Sequence, residues 1–121
     1  MKIQESAENY LEAILMIKER NGEVRSIDIV NELGFSKPSI SVAMKNLRNN
    51  GYIIMNTRGL IDLTEKGLEI AQTMYERHKL FSKWLIELGV DEKTAKEDAC
   101  RMEHVMSVQT FSAIKKFIEE H

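Results

Sequence analysis

The sequence predicts a mainly α-helical protein that contains one small β-hairpin. Apolar residues recur at helical spacing over most of its 121 residues, whereas residues 52–55 and 60–63 are rich in β-forming side chains and flank a short polar turn. With 43% hydrophobic and 30% charged residues and a single proline, the composition is that of a helix-rich globular domain with enough apolar material for a core.

The first helix is predicted from about Ser6 to Glu19. Apolar side chains occur there at i, i+1, i+4, i+5 and i+7, beginning at Tyr10, and Asn21-Gly22 is a stop signal. Three polar residues lie beside the apolar stripe, and a solvated face would explain each of them taken alone: Glu8, Asn9 and Glu12.

A helix, a tight turn, a second helix and a hairpin follow in that order. Ser26 is expected to cap the first of these helices and Gly34 to end it, while Ser36 caps the second, which runs from Pro38 to Asn49. The inward side of the first is predicted to be formed by Ile27, Ile29, Val30 and Leu33. This order predicts a winged helix-turn-helix, whose second helix enters the major groove of DNA.

The charge distribution favours DNA as the partner of this segment. Residues 34–61 contain four cations and no acid, although the whole chain has a net charge of −2. Ser39, Lys45 and Asn46 could meet base edges or phosphates, Val42 a thymine methyl, and Arg58 the backbone or minor groove. The alternative is a surface that binds protein only. The full predicted contact set is Ser36, Lys37, Pro38, Ser39, Val42, Lys45, Asn46, Arg48 and Arg58.

Three further helices are predicted after the hairpin. A long one extends from a Thr64 cap to Gly89, and the next from an Asp91 cap to about residue 107. The last, from about Ser107 to Glu119, has a broad apolar face formed by Val108, Phe111, Ile114, Phe117 and Ile118. One copy offers these helices too little to pack against, which predicts a two-fold homodimer. We therefore expect a DNA-binding domain at residues 1–64 and a helical dimerisation domain at 65–121.

Cys100, Glu103 and His104 are spaced i, i+3, i+4, so on one helix they would share a face. A thiolate, a carboxylate and an imidazole together suit a first-row transition metal. Such a trio also arises by chance on helices, and a lone histidine in an apolar stripe, such as His78, is commonly a core residue. If helix 1 and the long helix meet the third, Glu12 and His78 would complete a set of four to five ligands. Catalysis by a Cys100–His104 pair without an oxyanion cradle is disfavoured.

At this point the chain resembles the metal-dependent repressors of the diphtheria-toxin-repressor and manganese-transport-regulator type. The segments that carry the resemblance are 10–14, 36–47, 58–67, 77–78 and, most specifically, 98–107. It implies a homodimeric repressor that binds double-stranded operator DNA when Mn(II) or Fe(II) is abundant. It also places Glu12, His78, Cys100, Glu103 and His104 at metal-ligand positions.

The departures from the family pattern concern the choice of metal. Asn9 stands where manganese regulators have Asp and iron regulators Met, and as a neutral oxygen donor it would be a weak ligand or none. Ser82 and Lys96 replace ligands of the ancillary site of the iron branch. Glu12 resembles the manganese branch and Cys100 the iron branch. Because the chain ends at His121, the SH3-like domain of longer members is expected to be missing.

The composition also predicts the cellular location, and two rival functions are considered. There is no apolar run of membrane-spanning length and no signal-peptide core, and the single cysteine suits a reducing compartment, so we expect a cytoplasmic protein without a membrane partner. One rival is a winged-helix regulator that responds to a small organic ligand or is constitutive. The other is a metal-carrying or redox enzyme on a helical scaffold.

Overall fold

The computed structural model describes residues 5–121 and confirms the predicted fold class. The six helices and two strands of this part of the chain are α1 (Glu5–Asn21), α2 (Ser26–Leu33), α3 (Lys37–Asn49), β1 (Ile53–Met55), β2 (Ile61–Leu63), α4 (Glu65–Glu87), α5 (Glu92–Met102) and α6 (Val108–Glu120). The chain forms two compact units, which divide between Thr73 and Met74 within α4. No helix of the described range is both long and apolar enough to cross a membrane.

The first unit is a three-helix cluster with a hairpin. Helix α2 packs against α1 and α3, while β2 contacts α1 and β1 contacts α3. As the periodicity predicts, Ile40, Met44 and Leu47 turn inward from α3. Ile27 does not: its side chain is 42% exposed, because α2 has only two turns and buries a narrow strip around Ile29. The opposite side of α3 is therefore left to solvent.

The hairpin is a two-stranded antiparallel sheet in which Ile54 pairs with Asp62. At its tip the Asn56 side chain accepts hydrogen bonds from the backbone N–H groups of Arg58 (2.9 Å) and Leu60 (3.0 Å). On the outer edge of β2, the Ile61 N–H donates to the Val24 carbonyl at 2.8 Å. The wing is therefore held at its tip and along one edge by contacts within the first unit.

Most of the predicted helix caps are confirmed. Ser36 and Asp91 each accept a hydrogen bond from the N–H three residues on, and Thr64 does the same at the start of α4. Ser107, which was predicted only as the approximate start of the last helix, caps α6 in the same way. The prediction of Ser26 as a cap is wrong. The cap position of α2 is Arg25, whose backbone N–H donates to the Asp28 carboxylate at 2.9 Å, so the reciprocal bond is supplied by an acid at the third position.

The predicted length of α5 is also wrong. Its apolar spacing continues towards residue 107, but the helix ends at Met102, and Ser107 already caps α6. The Glu103 N–H still donates to the Ala99 carbonyl (3.0 Å), as in a helix, whereas the Val105 N–H bonds Met102 in a tighter turn (3.3 Å). Residues 103–106 therefore form a turn between two helices, and it carries Glu103 and His104.

The second unit has a small core of its own around Phe81, Ala99 and Phe111. The rings of Phe81 and Phe111 meet edge to face with centroids 5.7 Å apart. The predicted apolar face of α6 is divided by this arrangement. Phe111 is buried, whereas Val108 and Phe117 are 71% and 56% exposed, because the core reaches only one side of the helix.

Candidate metal centre and nucleic-acid interface

The trio predicted from spacing is assembled in the second unit, although not on one helix. Cys100 lies in the last turn of α5, Glu103 directly follows the helix, and His104 lies in the turn. Ligand atoms of all three lie within 4.8 Å of one another. The Glu103 side chain is fully buried and that of His104 is 2% exposed. The sharp turn after Met102 thus keeps the three groups together.

His78, on α4, joins the same cluster. Its Nδ1 lies 3.2 Å from Glu103 Oε2, and Nε2 of His104 lies 3.2 Å from Glu103 Oε1. The Glu103 carboxylate therefore has an imidazole at each oxygen. His78 is not a core spectator but part of a four-residue cluster that contains one thiol, one carboxylate and two imidazoles.

The chemistry of this donor set fits a divalent first-row transition metal. Thiolate and imidazole suit iron and zinc, and carboxylate suits manganese. A carboxylate that is 0% exposed is costly to bury unless it is paired or coordinates a cation, and Glu103 lies among groups that can share an ion with it. The full burial of Glu103 and the donor types of the other three, partly buried residues therefore point to the same ion.

Two of the predicted ligands lie in the first unit, on α1. Glu12 is 3% exposed, between the buried residues Leu11 and Ala13, and Asn9 is partly buried. A carboxylate in a buried helical position is unusual for a solvated acidic face, which was the alternative for Glu12. The role of both residues in metal binding stays a prediction.

Arg77 belongs to the 77–78 segment that carries the family resemblance, but no role was predicted for it. It is 4% exposed, and its Nη1 donates to the Glu103 carbonyl at 2.8 Å and to the Met106 carbonyl at 3.1 Å. The guanidinium carbon lies 5.1 Å from the centroid of the Phe111 ring. An arginine beside a histidine in an apolar helical stripe was the only available signal. Its partners lie 26 and 29 residues away, beyond the reach of periodicity.

The predicted DNA contacts lie on one exposed side of α3 and on the wing. Every member of the predicted set is solvent-exposed, and Val42, at 60%, is unusually exposed for an aliphatic side chain. The Ser36 hydroxyl is already engaged, because it accepts from the Ser39 N–H and donates to the Ser39 hydroxyl at 2.9 Å. Lys45 and Asn46 are exposed in the middle of the helix.

At the wing tip, the backbone rather than the side chain of Arg58 is fixed. The Arg25 guanidinium donates to the Arg58 carbonyl at 2.7 Å, while the Arg58 side chain is exposed. Asp62, the first acid after the basic segment, forms an ion pair with Lys18 of α1. Because Asp62 is paired with Lys18, it does not leave an unpaired carboxylate at the base of the wing that would oppose the positive charge of α3 and the wing tip. Arg25 is a second functional candidate that the sequence analysis missed.

Two known protein families match this chain, one on each side of residues 61–63. The family described as "Iron dependent repressor, N-terminal DNA binding domain" matches residues 2–60. The family described as "Iron dependent repressor, metal binding and dimerisation domain" matches residues 64–121.

Individual relatives and solved structures agree with both matches. An HTH-type transcriptional regulator of Methanocaldococcus jannaschii is 37% identical over 120 residues, covering 98% of this chain and 96% of that protein. The transcriptional regulator MntR of Escherichia coli is 34% identical, covering 98% of this chain and 76% of MntR. The manganese regulator SloR superposes with a TM-score of 0.82 at 25% identity over 98% of this chain. The chain spans 55% of the length of SloR.

Proposed function

The chain belongs to the iron-dependent repressor family of metal-dependent transcriptional regulators, and on that premise we propose that it binds palindromic operator DNA as a homodimer when Mn(II) or Fe(II) is bound. The observation that carries the proposal is the Glu103 carboxylate with His78 and His104 at its two oxygens and Cys100 beside it. The family consists of transcriptional regulators, so the chain is not an enzyme.

Four residues of the second unit would hold the metal: His78, Cys100, Glu103 and His104. A bound divalent cation would supply the positive charge that lets a thiolate and a carboxylate lie buried side by side. We also propose Glu12 as a ligand and Asn9 as a weaker one, supported by the resemblance of residues 10–14 to the family pattern and by the burial of the Glu12 side chain.

DNA binding is proposed for the exposed side of α3 and for the wing. Val42 has the exposed methyl groups that a thymine methyl would contact, and Asn46 the amide that can pair with adenine. Lys45 and Arg58 supply cations for phosphates. The Arg25 bond to the Arg58 carbonyl limits the positions available to the wing tip, which lowers the entropy lost on binding.

A second copy is proposed to pack against the helices of the second unit. Residues 64–121 match a dimerisation domain, and Leu88, Val108 and Phe117 are each more than half exposed in the single chain. A two-fold pair would present two α3 helices, which must lie about 34 Å apart to meet successive major grooves. We propose that metal occupancy is coupled to this spacing. Operator DNA should then tighten metal binding by the same factor by which metal tightens DNA binding.

The division into a DNA-binding domain at residues 1–64 and a metal-binding and dimerisation domain at 65–121 is likewise a proposal. It is supported by family matches to residues 2–60 and 64–121. A cytoplasmic location is proposed because transcriptional regulators act on DNA there.

The decisive experiment is a DNA-shift assay with a library of palindromic duplexes, run with Mn(II), Fe(II), Zn(II) or a chelator. We expect retained duplexes with Mn(II) or Fe(II) and release with chelator. H104A should abolish the metal response, whereas H121A is the matched control, because His121 is exposed and lies outside the cluster. Operator binding that is identical with and without chelator would overturn the proposal.

A further inference from the structure

We propose that Arg77 is a positioning residue of the metal centre: it holds the turn at residues 103–106 so that Glu103 and His104 face Cys100 and His78. The inference rests on the proposed metal function. Arg77 itself is not a ligand, because a guanidinium stays protonated and has no acceptor atom.

The turn that Arg77 binds directly follows the end of α5, where backbone carbonyls lack hydrogen-bond partners within the helix. The last carbonyls of a helix have no partner within it and must be satisfied by other groups. Nη1 of Arg77 donates to the carbonyl of Glu103, the C-cap residue of α5, at 2.8 Å and to the carbonyl of Met106, the last residue of the turn, at 3.1 Å. One nitrogen therefore joins both ends of the segment that carries two of the proposed ligands.

Arg77 is itself held in place by the core of the second unit. It is 4% exposed, and its guanidinium lies over the Phe111 ring, which in turn packs edge to face on Phe81. A long side chain that is buried on a ring has few alternative rotamers, so its donor nitrogen has a well-defined position.

The neighbouring residue in the sequence is His78, on the same helix α4. That helix therefore positions one ligand directly through His78 and two others indirectly through the Arg77 bonds to the turn. The 3.2 Å distance between His78 Nδ1 and Glu103 Oε2 therefore depends on the position of His78 on α4 and on the Arg77 bonds to the turn. Ligand separation of this kind decides which ions a site can hold and how tightly.

The test uses Co(II) as the probe, added to the whole chain, because a thiolate ligand gives Co(II) an intense absorption band that reports on Cys100. We expect R77Q to bind Co(II) about 10- to 100-fold more weakly, as is usual when a group supporting metal ligands is lost, and to change that band. R77K retains the charge and can donate to a carbonyl, so it should restore part of the affinity.

D91A is the matched control for lost stability. Asp91 caps the opposite end of α5, and its loss weakens the same helix without touching residues 103–106. We expect D91A to lower the melting temperature but to leave Co(II) affinity and the band unchanged. If D91A and R77Q both lose Co(II) affinity in proportion to the fall in their melting temperatures, Arg77 acts only through stability and the inference is wrong.

Two other results would also overturn it. One is R77Q with the affinity and spectrum of the unaltered chain. The other applies if R77Q does not fold. In that case, a folded R77K variant whose Co(II) affinity and absorption band equal those of the unaltered chain would overturn the inference. Failure of the proposed function is distinguishable from these, because the unaltered chain would then show no thiolate–Co(II) band at all.

Discussion

The backbone of Gly67 lies directly against the carbonyl group of Tyr52: a β-carbon at Gly67 would be 2.0 Å from the Tyr52 oxygen. The same oxygen accepts a hydrogen bond from the Thr64 N–H at 3.1 Å. Beside this contact, the Lys66 ammonium lies 4.3 Å from the centroid of the Tyr52 ring. The first turn of α4 thus packs against Tyr52, the residue that precedes β1. This contact determines where the helix starts relative to the wing.

Replacement of Gly67 by alanine should therefore destabilise the protein. Alanine normally stabilises a helix interior by about 0.5–1 kcal/mol relative to glycine, but the clash with a backbone oxygen cannot be relieved by a rotamer change. We expect G67A to lower the free energy of unfolding by about 1–3 kcal/mol, as for an overpacked core, measured by urea denaturation. E69A, at an exposed position of the same helix, should be nearly neutral. A stabilised G67A would contradict the close approach.

Metal should stabilise the chain against unfolding if it binds only the folded state. At a free concentration 100 times its Kd, an ion adds about 2.7 kcal/mol to the free energy of unfolding. Urea denaturation with Mn(II) should show this gain, and chelator should remove it. E103Q should lose the gain, because Glu103 is the carboxylate that both imidazoles approach. H121A should keep it, and an equal gain in E103Q would contradict the assigned ligands.

Acid should weaken the start of α5. Hydrogen bonds from the Thr94 side chain and backbone lower the pKa of Asp91 below its ordinary value of 3.8. Because the folded pKa is the lower one, the cap contributes stability above about pH 3.8 and loses it as the pH falls through the folded pKa.

The difference in melting temperature between the unaltered chain and D91A should therefore be largest near neutral pH and shrink in acid. T94A, which removes the side-chain donor, should show a smaller acid dependence than the unaltered chain. A difference between the unaltered chain and D91A that does not vary with pH would show that the Asp91 charge is not what caps the helix.

Salt dependence tests the proposed phosphate contacts. Each phosphate neutralised by a cation contributes about 0.9 to the slope of log affinity against log salt concentration. K45A and R58A should each reduce the magnitude of the slope by about this amount. R20A is the control, because Arg20 lies on α1 and pairs with Glu32. A slope lowered by R20A as much as by R58A would argue against the assigned face.

The features that were predictable from the sequence are those decided by neighbours along the chain. Ser36 and Ser107 cap helices through bonds three residues away, and Gly34 has the left-handed φ of 73° that its place after α2 requires. The exposed side of α3 followed from helical periodicity. The resemblance of residues 98–107 to a known family singled out Cys100, Glu103 and His104 as proposed metal ligands.

Neighbours along the chain were enough to predict the element types, the acid-free basic segment and the trio of proposed metal ligands, because local hydrogen bonds, periodicity and charge act over a few residues. The folded structure was needed to show that α5 ends at Met102, that Glu103 lies between two imidazoles, and that Arg77 binds the turn. The contacts of Glu103 with His78 and with Arg77 join residues far apart in the chain. Their energy comes from burial and hydrogen bonding in the packed core, which no local pattern records.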